Sequence, residues 1–374
     1  MKVKILLFLI AISFFVSCIE EFSPKIDSYI NLPVVEGIIT NESGPYIIRL
    51  SRSAPFYSLD YYPISGANIV ISDDLNNEET LIELEPGIYT TDSLGIRGEV
   101  GRKYRLTINI DNKIYQSNYE KLEAPLEIDS IYAKIEYKDT REGNFEGMQF
   151  YIDTKATNTD NRYFLWIPIE TYKYRADLTL DHFYISSGTR VVPNNDTMHV
   201  CWRTNNVSGI FTYSSKHLTE TKLHNFPLHY VNTKSKKLTE KYSVLVNQYS
   251  ITQGAFRYWN LIKKQTSESG SLYSTQPFQI RGNMVNPDKP DDIILGYFMA
   301  ASVSKKRFFV NRPRLSFDYY ICKANTSAYE SWLKSPGYPA YFAITDDGLG
   351  KALLGCFDCR EQGGTTTKPD FWED

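Results

Sequence analysis

The chain has 374 residues, of which 42% are hydrophobic and 23% charged, and its formal net charge is −3. This is the composition of an ordinary globular protein of two or three domains, and it excludes collagen, coiled coil, bulk disorder and a multi-span membrane protein. Removing the two lysines of the N-terminal leader leaves 39 basic residues against 44 acidic ones. Because this surface does not attract phosphate backbones, we expect no nucleic-acid partner.

Residues 1–17 predict a lipoprotein signal peptide. Two lysines form a positive start, and the mostly apolar run 5–16 follows, which is too short to span a bilayer as a helix. Ser17 precedes Cys18 at the point where lipoprotein signal peptidase would cut. Cys18 is therefore expected to carry the acyl chains, palmitate among them, that anchor the mature protein. The alternative is an ordinary secretory signal that contains a cysteine.

Two acidic residues, Glu20 and Glu21, lie just after this cysteine. The arrangement resembles the surface-export signal of Bacteroidota-type lipoproteins, which predicts an outer-membrane protein that faces the cell exterior. The alternative is that these residues only begin a solvated tether. We place a lipidated tether at residues 18–33 under the first interpretation.

Residues 34–124 have the pattern of one immunoglobulin-like β-sandwich of about seven strands. Short apolar runs are separated by turn residues at intervals near ten. The run 104–110 alternates strictly between apolar and polar side chains, as a half-buried strand does. The order of residues 65–72, 87–89 and 101–104 also resembles prealbumin-like modules, which usually act as spacers or docking surfaces.

Residues 125–374 predict a larger β-rich C-terminal domain with one inserted helix, so the predicted fold class is mainly β. Apolar residues recur at helical spacing over 252–266, and this face is expected to pack on a sheet. The polar interval 171–239, which holds all five histidines, is expected to contain short strand-like pieces such as 197–202 and long loops over a sheet. The predicted strands are 148–154, 162–170, 242–249, 277–281, 293–302 and 306–310.

The cysteines that remain when Cys18 is lipidated form an even set in an oxidising compartment, which favours two structural disulfides with three open pairings. They are Cys201, Cys322, Cys356 and Cys359. The CxxC at 356–359 also fits a redox motif or half of a zinc site, with Cys201, His199 and Cys322 as further candidate ligands. No second CxxC or close histidine pair completes a zinc spacing, so we expect no metal and no cofactor.

The sequence contains no GxSxG, P-loop, HExxH or dinucleotide-binding glycine motif, so it supports no common enzyme class and we expect a protein that is not an enzyme. His224 and His229 are five residues apart and lack complementary carboxylates, which favours structural roles over metal binding. The acidic loop 73–79 lacks the glycine and final glutamate of an EF-hand, which favours a solvated hairpin loop over calcium. The oxygen-rich turn 286–292 is most simply a connection between strands.

Aromatic residues make up 14% of the chain. Tyrosine and tryptophan suit stacking on sugars or contact with peptides, although many must pack across strands. We predict partner contacts for one group in a loop between strands and one in the polar tail. They are Phe56, Tyr57, Tyr61 and Tyr62 in the loop and Phe371 and Trp372 in the tail.

Several longer motifs together resemble the outer-membrane lipoproteins grouped as domain of unknown function 4249. They are Cys18, residues 26–29 (IDSY), 34–40 (VVEGIIT), 50–55 (LSRSAP), 258–260 (YWN), 295–298 (LGYF) and 363–372 (GGTTTKPDFW). The resemblance implies a companion of a TonB-dependent-receptor-like outer-membrane β-barrel. It supplies no catalytic residue.

Two function classes follow. The leading hypothesis is a non-enzymatic accessory or cap subunit of such a barrel, which serves uptake or outer-membrane protein handling. The alternative is a stand-alone surface lipoprotein that binds a glycan or peptide, and a weaker third is a disulfide-active or hydrolytic enzyme. An accessory subunit should co-purify with a barrel, a binder should hold its ligand alone, and an enzyme should fail when a nucleophile such as Cys356 is replaced.

Overall fold

The computed structural model describes residues 31–54, 60–140, 143–155, 161–186, 189–191, 197–218, 222–268 and 279–373. In this part of the chain five sheets and two α-helices form a mainly β protein, which confirms the predicted fold class. The immunoglobulin-like character of the N-terminal region stays a prediction.

Ten strands, three more than expected, lie in the N-terminal third. They are β1 (Pro33–Ile39), β2 (Ile47–Arg52), β3 (Tyr62–Pro63), β4 (Asn68–Asp73), β5 (Glu78–Thr80), β6 (Ile82–Glu85), β7 (Ile88–Thr90), β8 (Lys103–Ile110), β9 (Lys113–Ser117) and β10 (Glu120–Lys121). One sheet has the order β1-β2-β7-β6, with β3 also paired to β2. The other has the order β9-β8-β4-β5, with β10 paired to β8.

These two sheets share one hydrophobic core. Strand β8 shows why: Tyr104, Leu106 and Ile108 lie on one face and are buried, while the residues between them are more exposed. Isoleucines of β2 and β4 complete the same core. Because side chains of a strand alternate between the two faces of the sheet, the alternating apolar pattern determines which face is buried.

The remaining strands, in chain order, are β11 (Ile128–Thr140), β12 (Gly143–Thr154), β13 (Tyr163–Arg175), β14 (His182–Tyr184), β15 (Thr189–Val191), β16 (Val200–Asn206), β17 (Phe211–Ser214), β18 (Leu223–Asn232), β19 (Lys241–Ser250), β20 (Met284–Val285), β21 (Leu295–Ala300), β22 (Ser302–Asn311), β23 (Ala340–Thr345) and β24 (Gly348–Ala352). Two α-helices are present, α1 (Gln253–Glu268) and α2 (Thr326–Lys334). Single 3₁₀ turns occupy Lys236–Leu238, Leu354–Cys356 and Cys359–Gln362.

Several local predictions can be compared with these bounds. Helix α1 confirms the helix predicted at 252–266, whereas α2 was not predicted. The interval 171–239, where we expected short strand-like pieces such as 197–202 among long loops over a sheet, contains β14 to β18, and β16 covers part of the piece 197–202. Of the strand expected at 277–281, the described residues 279–281 are not in a strand.

Strands β20 and β21 return to the N-terminal sheets. Strand β21 pairs in parallel with β1, with Val35 opposite Gly296, and β20 pairs with β9. Gly296 has φ +92°, and a Cβ there would lie 1.8 Å from the carbonyl oxygen of Val35. Only glycine permits this backbone approach. The predicted division at residues 124 and 125 stays a prediction, but the sheets of the first region include two strands from the second.

In the C-terminal region the sheets β11-β12-β18 and β16-β13-β19-β22 bury a common core, with β17 also paired to β13. A smaller sheet, β15-β14-β23-β24, contacts α2 and has its own core around Phe342. Helix α1 packs at the junction with β21, where Ala255 and Tyr297 are buried together. Packing therefore continues from the N-terminal sheets into the C-terminal ones.

Candidate functional site

The predicted aromatic contact loop is only partly described. Tyr61 and Tyr62 are exposed, and Tyr62 begins β3, which pairs with β2 in the first sheet. Phe56 and Tyr57 lie outside the described residues, as do Cys18, Glu20 and Glu21. The two described tyrosines are thus accessible at the edge of the N-terminal sheet.

The same sheet has an exposed apolar row on its outer face. Ile47 of β2 lies opposite Thr90 of β7, and Thr90 lies opposite Ile82 of β6. Leu84, two residues after Ile82, lies where the pairing register with β7 shifts, and the side chains of Ile82 and Leu84 are 65% and 69% exposed. We call Ile47, Ile82 and Leu84 the N-terminal apolar row. Sequence reasoning missed it because these residues occur in an ordinary alternating strand.

The C-terminal tail lies against its own chain. Trp372 is only 4% exposed, and its ring meets Trp202 and Phe309 edge-on at 6.4 and 5.5 Å between centroids. The guanidinium of Arg307 lies 3.4 Å from the centre of the Phe371 ring. The tail predicted to dock on another protein therefore docks on strands β16 and β22, and the Trp372 ring is not offered to a partner.

The four C-terminal cysteines form two disulfides, as expected. Cys201 is bonded to Cys359 and Cys322 to Cys356. The two cysteines of the CxxC motif are thus bonded to separate distant partners. Among the described residues no group of three or more histidine, cysteine or acidic side chains is arranged to hold a metal ion.

A cleft of about 870 Å³ opens between the two larger C-terminal sheets, within the volume range of small-molecule sites. Its walls include β18, the connection between β16 and β17, and the last turns of α1. Phe211 and Phe226 are half-buried in its lining, and the amide side chain of Asn206 is exposed there.

A buried polar chain forms one wall of this cleft. The Lys237 ammonium and the Tyr242 hydroxyl both donate to the Glu170 carboxylate, Tyr242 at 2.9 Å. Because the tyrosine proton is used in this way, its oxygen accepts from Nε2–H of His229 at 2.7 Å. The Nδ1 atom of His229 is then an acceptor, and it is buried without a hydrogen-bond partner among the described residues.

Burial controls the protonation of this chain. Enclosure of the imidazole, aided by the positive charge of Lys237, lowers the pKa of His229 to about 3. Burial, together with the neighbouring Glu170 carboxylate, raises the pKa of the Tyr242 hydroxyl well above its ordinary value. Both groups are therefore neutral at neutral pH. The ring of His229 is held by stacking on Phe150 at 4.7 Å between centroids.

Two further lysines line the cleft. The Lys138 ammonium donates to the side-chain oxygen of Gln149 and lies 4.7 Å from the centre of the Tyr230 ring. Lys263 reaches the cleft from α1. Among the described residues no carboxylate lies within 4 Å of either ammonium, whereas Lys237 is paired with Glu170. The lining side chains therefore carry excess positive charge.

Sequence reasoning considered only His229 among these cleft residues. The available signal was a pair of polar residues, Glu170 and Tyr242, at inward positions of otherwise apolar strands. It was overlooked because the two strands are far apart in sequence and pair only in the folded sheet.

The remaining candidates have simpler explanations. Asp73 accepts from the backbone N–H groups of Leu75 and Asn77 and forms an ion pair with Arg102 at 2.7 Å, so this carboxylate is already engaged within its hairpin. His224 is exposed and lies 3.6 Å from Asp153. In the turn 286–292, the Asn286 side chain accepts backbone N–H groups, as a connection between strands requires.

The structure defines a mainly β, sandwich-like protein with two disulfides. Within the described ranges, no helix has both the length and the apolar character needed to cross a membrane. A family model described as a domain of unknown function (DUF4249) matches residues 19–307, and the chain belongs to this family, as the resemblance indicated. The closing motif 363–372 lies beyond the matched range. No curated protein matches the chain.

Proposed function

We propose that this protein is a lipid-anchored surface lipoprotein of the outer membrane that acts as a non-enzymatic accessory or cap subunit of a β-barrel. The observation that carries the proposal is the N-terminal apolar row, which lies on the same sheet that the chain enters after its N-terminal segment. An exposed apolar surface next to an anchor is suited to contact with a membrane protein.

The length of the tether supports this position. Fourteen residues lie between Cys18 and Pro33, the first residue of β1, and the fully extended chain between these two residues spans about 50 Å. Acylation of Cys18 thus keeps the N-terminal sheets close to the membrane surface. Ile82 and Leu84 lie on β6, at the edge of the sheet opposite β21. This free edge is available for contact with the rim of a barrel.

The lipid anchor is tested by replacement of Cys18. The Cys18→Ser variant should leave the membrane fraction, and mass spectrometry of the wild-type N-terminus should show an acylated cysteine. Protease treatment of intact cells should degrade the wild-type protein because it faces outward. Protection of the protein in intact cells would contradict the outward orientation.

The contact surface is tested with the double variant Ile82→Asp/Leu84→Asp. Two charges on the apolar row should abolish co-purification with the barrel, since interface energy is concentrated in a few apolar anchors. The matched control is Leu75→Asp/Leu94→Asp, which changes two leucines of the same region that lie outside the row and are 66% and 93% exposed. Equal co-purification of both variants with a barrel would contradict the proposed contact.

The cleft between the C-terminal sheets favours a second candidate, a glycan- or peptide-binding lipoprotein. It offers charged, amide and aromatic groups in one concave surface. This candidate is compatible with the accessory role, because a cap can also hold cargo.

A further inference from the structure

We propose that the cleft between the C-terminal sheets binds an acidic saccharide through Lys138, Lys263, Asn206 and the rings of Phe211 and Phe226. This inference extends beyond the accessory role and does not depend on a barrel partner.

The charge of the cleft selects an anion. Lys237 is neutralised by Glu170, but Lys138 and Lys263 have no carboxylate within 4 Å among the residues that the structure describes. Lys138 is held in place by Gln149 and the Tyr230 ring, so its ammonium is already oriented. A carboxylate or sulfate that reaches either ammonium group gains a charge-assisted hydrogen bond to it.

The apolar and polar groups select a sugar. Phe226 and Phe211 line the cleft and are half-buried, and aromatic rings supply the flat apolar surfaces on which the C–H faces of sugar rings stack. The exposed amide of Asn206 can both donate to and accept from hydroxyl groups. The wall also contains Nδ1 of His229, a buried acceptor without a donor among the described residues.

The strand at the cleft argues against a peptide bound by β-sheet extension. Residues 226–231 of β18 line the cleft, and among the described strands β18 pairs only with β12. However, Pro227 removes one backbone donor, and the pairing register shifts at two points along β18. An extended peptide requires a regular free edge, so this strand is a poor template for one.

The test is isothermal titration calorimetry on the full mature chain in detergent, without a barrel. The probes are tetrasaccharides of galacturonate, of mannuronate and of chondroitin sulfate, with methyl-esterified galacturonate tetrasaccharide and tetra-glutamate as comparison ligands. At least one acidic tetrasaccharide should bind, and both comparison ligands should bind about tenfold more weakly or not at all, because each lacks either the charges or the sugar faces.

The variant Lys138→Gln/Lys263→Gln should weaken that binding at least about tenfold, since each ammonium supplies a charge-assisted hydrogen bond. The matched control is Lys134→Gln/Lys264→Gln, which removes the same charge from the same strand and helix but outside the cleft lining. The control should bind within about twofold of the wild type, because its charges are more distant and more screened.

Three results would overturn the proposal: no binding of any acidic tetrasaccharide, equal or tighter binding of either comparison ligand, or an equal loss in the control variant. Circular dichroism of each variant verifies folding, and Lys138→Arg/Lys263→Arg, which keeps both charges, should retain binding. None of these results depends on whether a barrel co-purifies, so the accessory role and the saccharide site fail separately.

Discussion

Glu120 is a buried carboxylate at the junction between the N-terminal sheets and α1. It accepts hydrogen bonds from the hydroxyls of Thr252 and Tyr297, each at 2.6 Å, and from the amide of Asn283 at 3.3 Å. Burial outweighs these hydrogen bonds and raises the pKa of Glu120 above its ordinary value of 4.5. The folded protein therefore holds this proton more tightly than the unfolded chain does.

The stability of the folded protein should depend on pH through Glu120. The stabilisation linked to Glu120 is fully present below pH 4.5, the ordinary carboxyl value, and is lost as the pH rises through the raised pKa of the folded state. Glu120→Gln removes this titration while keeping a side chain of the same shape. The wild type should therefore lose stability relative to Glu120→Gln as the pH rises from 4.5 towards neutrality.

Urea denaturation midpoints of the two proteins, measured across that pH range, provide the test. The matched control is Glu85→Gln, at an exposed position of the same N-terminal region. A constant difference between wild type and Glu120→Gln at all pH values would show that the buried carboxyl is not linked to folding.

At the residue scale the sequence predicted the number of disulfides but neither their pairing nor the burial of Trp372. The even number of C-terminal cysteines predicted two disulfides. Which cysteines pair depends on long-range folding, which brings Cys359 next to Cys201 and lets the N–H of Cys359 donate to the carbonyl oxygen of Met198. Trp372 was predicted to contact another protein because aromatic residues are enriched at interfaces and this one lies in a polar tail. Its burial against Trp202 and Phe309 depends on long-range packing that no local pattern reveals.

At the element scale the parallel pair of β21 and β1 is the main connection between early and late parts of the chain. Gly296 and Gly101 have nearly the same positive φ, +92° and +91°, but only at Gly296 would a Cβ meet neighbouring backbone. Gly101→Ala should therefore lower the unfolding free energy by about 1–2 kcal/mol from backbone strain alone. Gly296→Ala should cost more than about 3 kcal/mol, because strand β21 must also move away from Val35.

Chemical denaturation of both variants, with limited proteolysis to locate the loosened segment, measures this difference. Gly296→Ala should expose cleavage sites around β20 and β21, whereas Gly101→Ala should not. Equal stability of the two variants would mean that β21 does not lie against β1.

The elements that the sequence predicted well are those with a strong local period. Strand β8 and helix α1 were both anticipated within two residues at each end because their apolar residues recur at periods of 2 and 3.6. Helix α2 was missed because it has nine residues, although Asn325 caps it by accepting the N–H of Ala328. The run 293–302 was expected to be one strand, but it divides at Ala301 because β21 and β22 join different sheets.

At the scale of the whole molecule, the two disulfides link the C-terminal tail and small sheet to the rest of the chain. Cys201 and Cys359 are separated by 158 residues, and Cys322 and Cys356 by 34. Closing loops of this length is expected to stabilise the fold by several kcal/mol, about 3–5 for each bond in the chain-entropy description. Peptide mapping of the unreduced protein should recover these two pairs, and a bond between Cys356 and Cys359 would contradict them.

The combination of distant strands into common sheets was the feature that the sequence predicted least well. The return of β20 and β21 to the N-terminal sheets joins residues more than 160 positions apart, and such pairing leaves no periodic signal. The cleft likewise depends on side chains from β11, β13, β18 and α1. What the sequence did predict, a mainly β chain of the DUF4249 family, depended on local strand patterns and on motifs spread along the chain.

We propose that this protein is a lipid-anchored subunit of an outer-membrane barrel. The most direct test of this proposal is gentle detergent extraction of the protein with an affinity tag after Asp374, followed by mass spectrometry of what co-purifies. We expect one outer-membrane β-barrel to co-purify in stoichiometric amount. Recovery of the protein alone, in a detergent that keeps known barrel complexes intact, would contradict it.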